Sequence, residues 1–323
     1  MSLNLEEFIN RFFSYYNKNN FEFTSEEIFE VLKLAKPVFC KNTSALVQVP
    51  TPVNIVGDIH GQLDDLLRIF AAIGVPGKER YLFLGDYVDR GPNQLECIML
   101  LLALKVAASS RIYLLRGNHE VQSTNQVYGF RSELNHRFKR KLASRIYSDI
   151  NNIFTYLPLA AIVKGRILCM HGGLSPHLKS LDDIRRIQIP FEEPPVNSLE
   201  EDLLWADPSS AISGFNFNVV REISICFGAD VVHSTCTRLG VDLIVRAHQV
   251  MPSGYGLFAN KRLVTVFSAA SYNVEQDNMA AVMRVSKKLV ISYVLFAPPL
   301  AADVIKHKQR TSKRHDSSDI EDG

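Results

Sequence analysis

Val53-Asn54-Ile55-Val56-Gly57-Asp58-Ile59-His60-Gly61 sets a short β-branched run directly against a glycine, an aspartate and a histidine. Valine and isoleucine suit a pleated strand, and glycine permits a sharp exit from it. The same design returns along the chain. Residues 81–84 run into Gly85-Asp86-Tyr87-Val88-Asp89-Arg90-Gly91, and residues 112–115 into Arg116-Gly117-Asn118-His119-Glu120. Residues 167–170 run into His171-Gly172-Gly173, and residues 243–245 into Arg246-Ala247-His248. Five strand-like runs therefore end in Asp, His or Asn beside small residues.

Helical patterns at 63–73 and 95–107 lie between these runs, and a further β-rich run covers 263–267. Strands alternating with helices predict an α/β sheet sandwich. In such sheets ligands bind outside the carboxyl ends of the strands, so the five loops converge on one crevice. Gly57, Gly85, Gly117 and Gly172 allow the tight turns and close backbone approach this needs. The converging groups are Asp58, His60, Asp86, Asn118, His171 and His248. Carboxylate, imidazole and amide together suit manganese, iron or zinc better than an all-oxygen magnesium or calcium site. Six ligands exceed the need of one catalytic metal with an open position, and two metals sharing one bridging carboxylate fit the count.

The flanks carry no chemistry of this kind. Leu5, Phe8, Ile9, Phe12 and Phe13 recur at helical spacing, and Thr24 with Glu27 forms a capping box ahead of Ile28, Val31, Leu32 and Leu34. Residues 278–295 read as a final pair of strands, and after Pro298-Pro299 the pattern gives way to a basic stretch at 306–315 and an acidic one at 316–323. Such a charged end reads as a disordered tail. The chain has 323 residues, 46% hydrophobic and 22% charged, enough for a sizeable core and unlike a disordered or fibrous sequence. A formal charge of +2 gives no general reason to expect nucleic acid or an anionic membrane as partner. The five scattered cysteines contain no C-x-x-C, which argues for a reducing compartment, cytoplasmic or nuclear. The start of the chain lacks the basic and apolar regions of a signal peptide.

Gly57-Asp58-Ile59-His60-Gly61-Gln62, Gly85-Asp86-Tyr87-Val88-Asp89-Arg90-Gly91 and Arg116-Gly117-Asn118-His119-Glu120 resemble the signature motifs of the phosphoprotein phosphatase family of Ser/Thr phosphatases. His171-Gly172-Gly173-Leu174-Ser175-Pro176 and Arg246-Ala247-His248-Gln249 extend the likeness, which is strongest to the type-one branch and spans roughly residues 5 to 298. The resemblance implies a metallophosphoesterase-type β-sandwich of mixed sheets flanked by helices, with one catalytic domain over 1–300 and a charged tail over 301–323. It implies hydrolysis of phosphoserine and phosphothreonine in proteins, in one step, by a hydroxide bridging two metals. Asp58, His60 and Asp86 would hold the first metal, and Asp86, Asn118, His171 and His248 the second. Manganese is the expected pair in vitro, with iron and zinc as candidates in the cell. His119 would protonate the leaving alkoxide, with Asp89 orienting its ring. Arg90, Arg221, Tyr272 and Asn118 would face the phosphate.

Regulatory subunits carrying a short peptide motif are the implied partners, docking beside an edge strand. Ile167, Leu243, Leu257, Lys261, Val264, Leu289, Ile291 and Tyr293 would line that groove. No nucleic acid or membrane is expected. The sequence departs from the family at Ala270-Ser271, where Pro-Asn is usual, and at Asn273, where a cysteine is usual. Val274 and Gln276 depart from the type-one form, as do Thr124 and Gln126 near the active-site histidine, while Tyr128 and Trp205 remain. Altered sensitivity to toxin inhibitors is the expectation, since an amide at 273 cannot add to a Michael acceptor. The alternative is an inactive or weakly active scaffold for type-one partners, against which all six ligands, His119, Asp89 and Arg90 stand intact. A nucleotide-directed metallophosphoesterase and a calcium-regulated relative fit less well, the latter because no calmodulin-binding helix follows residue 300.

Overall fold

The computed structural model describes residues 3–14, 23–41, 44–272 and 277–298. The tail expected at 301–323 and the unusual loop positions 273–276 lie outside the described residues.

The strands are β1 (Leu46–Val49), β2 (Val53–Val56), β3 (Tyr81–Phe83), β4 (Ile112–Leu114), β5 (Ala160–Val163), β6 (Ile167–Met170), β7 (Asp207–Pro208), β8 (Phe215–Phe217), β9 (Ile225–Phe227), β10 (Leu243–Arg246), β11 (Tyr255–Phe258), β12 (Leu263–Val266), β13 (Ala280–Val285) and β14 (Ile291–Phe296). They form a six-stranded sheet in the order β1-β5-β6-β10-β12-β11 and a five-stranded sheet in the order β14-β13-β2-β3-β4. A small third sheet, β7-β9-β8, sits apart from both. Both large sheets are mixed. β2, β3 and β4 run parallel beside antiparallel β13, and β6, β10 and β12 run parallel beside antiparallel β11.

Side-chain alternation explains why the sheets stack. Val53 and Ile55 of β2, Leu82 of β3, Ile167 and Cys169 of β6, and Leu243 and Val245 of β10 share one core between the sheets. Their neighbours Val56, Tyr81 and Phe83 point the other way, into a second core. Leu168, Met170 and Ile244 point into a third. Period-two alternation with apolar residues on both faces means each sheet is covered twice. Helices Leu5–Ser14, Ser25–Cys40, Leu63–Ile73, Gln94–Ala107 and Arg140–Phe154 cover the five-stranded sheet. Helices Leu199–Trp205 and Ala229–Leu239 cover the six-stranded one. The result is a helix–sheet–sheet–helix sandwich, the mixed α/β architecture expected from the sequence.

Local signals hold where they were read. Thr24 caps Ser25–Cys40 with its hydroxyl on the Glu27 amide, and Glu27 returns the bond to Thr24. The final pair of strands expected at 278–295 is the antiparallel pair β13–β14, which runs one residue further, to Phe296. Among the described residues no helix is long and apolar enough to cross a membrane.

Candidate metal centre

The two sheets meet at the carboxyl ends of their parallel strands, where Asp58 bridges to Phe267 and the Gly57 amide donates to Ser268 Oγ at 2.8 Å. A side chain at Gly57 would drive into the carbonyl of Val266, so only glycine permits this seam. Gly117 is constrained in the same way, because a Cβ there would collide with the Asp86 carboxylate. The loops leaving the strands turn sharply. His60, Asp86, Asp89, Arg90 and His248 all hold positive φ, between 46° and 73°. Left-handed non-glycine backbone costs about 1 kcal/mol or more per residue and persists only where surrounding bonds fix it. Here Glu120 does the fixing. Its carboxylate accepts the amides of Asp86 (2.7 Å), Tyr87 (2.8 Å) and Gly117 (2.9 Å). Gln94 Oε1 accepts the amide of Asp89 at 2.8 Å.

The six sequence-derived metal ligands converge. Asp86 Oδ2 stands at the centre, 3.4 Å from His60 Nε2 and 3.3 Å from His171 Nε2. On one side, His60 Nε2 lies 3.8 Å from Asp58 Oδ2. On the other, His171 Nε2 lies 2.8 Å from Asn118 Oδ1 and 3.0 Å from His248 Nδ1. All six are buried. Two clusters of potential ligand atoms result, each within 4.8 Å: His60 with Asp86 and His119, and Asp86 with His171 and His248. By distance alone His119 joins the first cluster, but its Nδ1 is engaged with Asp89.

The donor set fits cations. His60 Nδ1 faces the Val88 carbonyl at 3.0 Å and His171 Nδ1 faces the Leu84 carbonyl at 3.1 Å. A carbonyl only accepts, so the ring proton sits on Nδ1 and the Nε2 lone pairs turn inward. His171 Nε2, Asn118 Oδ1 and His248 Nδ1 then present acceptors to one another with Asp86 beside them. Burial and Arg221 hold His248 far below the usual imidazole pKa, which keeps its ring neutral. Burial also pulls His60 down, to about 3. Burial opposes a charge on His171, yet Asp86, Asp58 and Glu120 raise its pKa. Burial followed by the charge of Asp86 pushes Asp58 up to about 6. The pocket therefore calls for positive charge at its centre.

His119 Nδ1 pairs with Asp89 Oδ2 at 2.6 Å, while Asp89 Oδ1 accepts the Phe130 amide at 2.8 Å. Burial works against an imidazolium at His119, but Asp86 and Asp89 outweigh it and raise the pKa. Its Nε2 points toward the centre, 4.0 Å from Asp86 Oδ2. Two arginines border the same space. Arg90 lies over the Tyr128 ring, 4.3 Å from its centroid. Arg221 is held by Asp207 and donates from Nη2 to the His248 carbonyl at 3.1 Å. Tyr272 tilts over His60 with ring centroids 5.0 Å apart.

Some supporting residues escaped the sequence reading. Glu120 was legible, since it ends the Arg116–Glu120 motif as an acid with no assigned task. Asp207 was not. It ties Arg221 to buried Arg246, whose Nη2 donates to Asp207 Oδ1 at 3.0 Å, and no strand–glycine pattern marks it. The expected docking residues fall on one flank. Ile167, Leu243 and Val264 are buried in the core between the sheets, with Leu289 and Tyr293 packed against it. Leu257 and Ile291 are exposed on the outer strands β11 and β14. Tyr255 stacks on Tyr293 at 3.9 Å and joins the two sheet edges.

Comparison with known proteins agrees with this architecture. Residues 51–252 match the family described as calcineurin-like phosphoesterase. Serine/threonine-protein phosphatase PP1-delta of Caenorhabditis elegans is 45% identical over 273 residues, covering 84% of this chain and 88% of that protein. A second serine/threonine-protein phosphatase of the same nematode is 46% identical over 84% of this chain and 59% of its own length. Among solved structures, a protein serine/threonine phosphatase of Saccharomyces cerevisiae, described as similar to human phosphatase PP5, superposes with a TM-score of 0.81. It is 29% identical over 91% of this chain and 96% of that one.

Proposed function

We propose, for a chain that belongs to the calcineurin-like phosphoesterases and among them to the Ser/Thr protein phosphatases related to type one, that this cleft hydrolyses phosphoserine and phosphothreonine monoesters in proteins. One observation carries the reading. A shared carboxylate oxygen, Asp86 Oδ2, stands between two donor groups, and a His119–Asp89 pair at 2.6 Å faces the same point.

Asp58, His60 and Asp86 would hold one divalent cation, and Asp86, Asn118, His171 and His248 a second, with manganese the pair to supply in vitro. Bound there, two cations neutralise phosphate charge and lower the pKa of water. The chain's own residues supply the rest. Arg90 and Arg221 bring guanidinium donors to the phosphate oxygens, where paired bonds suit the planar fork. Asn118 and Tyr272 border the same oxygens. Water attacks phosphorus in one step as the phosphorus–oxygen bond to the serine breaks. A serine alkoxide leaves poorly, so His119 Nε2 delivers a proton to it. Asp89 keeps the Nδ1 proton in place and favours the imidazolium that must give up the other. Phosphoprotein substrates of the cytoplasm or nucleus fit this chemistry, with regulatory subunits docking beside β11 and β14.

Phosphate release from a phosphoserine peptide in added manganese is the test. His119→Ala should lower kcat about 100-fold or more, and Asp86→Asn should do at least as much damage. A His119→Ala chain that turned over at the wild-type rate would overturn the assignment of the acid. A folded wild type that bound manganese but released no phosphate would overturn the activity.

A further inference from the structure

Asp89 is gripped by the starts of two helices. Its main-chain amide donates at 2.8 Å to Oε1 of Gln94, the first residue of the helix Gln94–Ala107. Its carboxylate Oδ1 accepts at 2.8 Å the amide of Phe130, the first residue of the helix Phe130–Arg137. The other oxygen, Oδ2, is left for His119 Nδ1. Asp89 is fully buried with φ 68°, and Arg90 after it holds φ 73°. Two successive left-handed residues persist only where surrounding groups fix them. The Phe130 bond limits how the carboxylate can turn, but the main chain behind it is fixed by Gln94.

Gln94 is itself locked. Its side chain is buried in a slot left by two glycines. A Cβ at Gly61 would stand 2.7 Å from Gln94 Cγ, and one at Gly129 would stand 3.3 Å from its Nε2. The Gln94 amide donates to Glu133 Oε2 at 3.0 Å, and the Leu95 amide to Glu133 Oε1 at 3.3 Å. These are amides with no acceptor inside their own helix, and a carboxylate at a helix start also suits the dipole. Arg137 holds Glu133 at 2.7 Å and reaches Glu96 at 2.8 Å. Glu133 belongs to the same helix as Phe130, one turn on. The two helix starts that grip Asp89 are therefore joined to each other through Glu133.

We infer that Gln94 is a positioning residue for proton delivery: by capturing the Asp89 amide it aims the Asp89 carboxylate at His119 Nδ1, and through it His119 Nε2 at the leaving oxygen. The inference rests on the phosphatase reading and adds to it a residue that acts through another. Without Gln94 Oε1 the buried Asp89 amide loses its acceptor, and a left-handed turn with an unsatisfied N–H relaxes to find one. Proton transfer to a leaving group depends on alignment, so the aim of the imidazole relaxes with it.

The test separates proton delivery from everything else in the cleft. A phosphoserine peptide and p-nitrophenyl phosphate are hydrolysed in added manganese. A serine alkoxide needs a proton to leave, whereas nitrophenolate is a weak base and leaves without one. Gln94→Leu occupies the slot without an acceptor. It should lower kcat about tenfold on the peptide, part of what a general acid contributes, and no more than about twofold on the nitrophenyl ester. Manganese affinity should stay within about twofold of wild type. Gln94→Glu, with an oxygen at the same reach, should recover most of the peptide activity. Thermal melts check that each chain folds, and Gln94→Asn, one methylene too short, replaces the leucine variant if that one does not. Equal losses on the two esters would assign Gln94 to the metal centre or the phosphate clamp as a whole, overturning the inference and leaving the phosphatase reading standing. Unchanged kcat on the peptide, or a glutamate variant as impaired as the leucine one, overturns the inference in the same way. A wild type that releases phosphate from neither ester overturns the activity and the inference together.

Discussion

Arg90 and Arg221 border one cleft from two very different pieces of structure. The Arg90 loop follows β3, holds left-handed backbone at Asp86, Asp89 and Arg90, and buries the side chains of Asp86 and Asp89. Its amides are captured from outside the loop by Glu120 and Gln94. The Arg221 turn belongs to the small sheet β7-β9-β8, stands in solvent and carries exposed valines. Asn218, the Asp207–Arg246 pair and a bond from Ser224 Oγ to Asp202 anchor its base. The first region is built to hold reacting groups in a fixed, strained geometry. The second is built to display side chains. Chemistry requires the one and substrate choice tolerates variation in the other.

The contrast breaks most sharply at Glu120. Glu120→Gln keeps the size of the side chain but sets an amide NH2 against backbone N–H groups that now find a carboxylate. Metal affinity and kcat should fall about 100-fold at the upper end for such supporting residues, read by manganese titration and single-turnover assay. A loss of less than about twofold would show that the Arg90 loop holds its shape without Glu120.

Asp207→Asn is the corresponding change at the second region. It removes the carboxylate charge that Arg221 and Arg246 share, so the Arg221 guanidinium loses its fixed aim. If Arg221 grips the phosphate as proposed, without taking part in proton transfer, KM for a phosphopeptide should rise about tenfold while kcat changes less. A fall confined to kcat would place Arg221 among the groups that act only at the transition state.

Val219→Ser should have the smallest effect on the fold. The side chain is 76% exposed, so thermal unfolding should shift by no more than about 0.5 kcal/mol. A larger destabilisation would mean that the turn packs where the structure shows it open.

The two regions also differ in how far the sequence revealed them. The strand–glycine–ligand repeats exposed Asp58, His60, Asp86, Asn118, His171 and His248, because each must leave a strand at the same sheet end and needs a small neighbour to do so. Strands alternating with helices likewise foretold an α/β sandwich, and Thr24 with Glu27 foretold a helix start. Those signals are local: propensity, periodicity and capping act within a few residues. Arg221 could be placed only by resemblance, and Asp207 was not found. Asp207 meets Arg221 across 14 residues and Arg246 across 39, a distance over which no local pattern operates. The resemblance to type-one phosphatases supplied the expected catalytic roles, but it did not bring out the exposed valines, since exposure is a property of packing.

What the sequence determined by itself is which residue types stand at the strand ends, and hence that acids, imidazoles and an amide gather around one point. What only the tertiary structure decided is the order of the strands in two stacked sheets, the sharing of Asp86 Oδ2 between both donor groups, and the display of Val219–Val220 beside Arg221. The physical reason is one of range. Backbone preference is set by each residue and its neighbours, whereas a shared oxygen and a solvent-facing wall exist only after distant segments have been packed against each other.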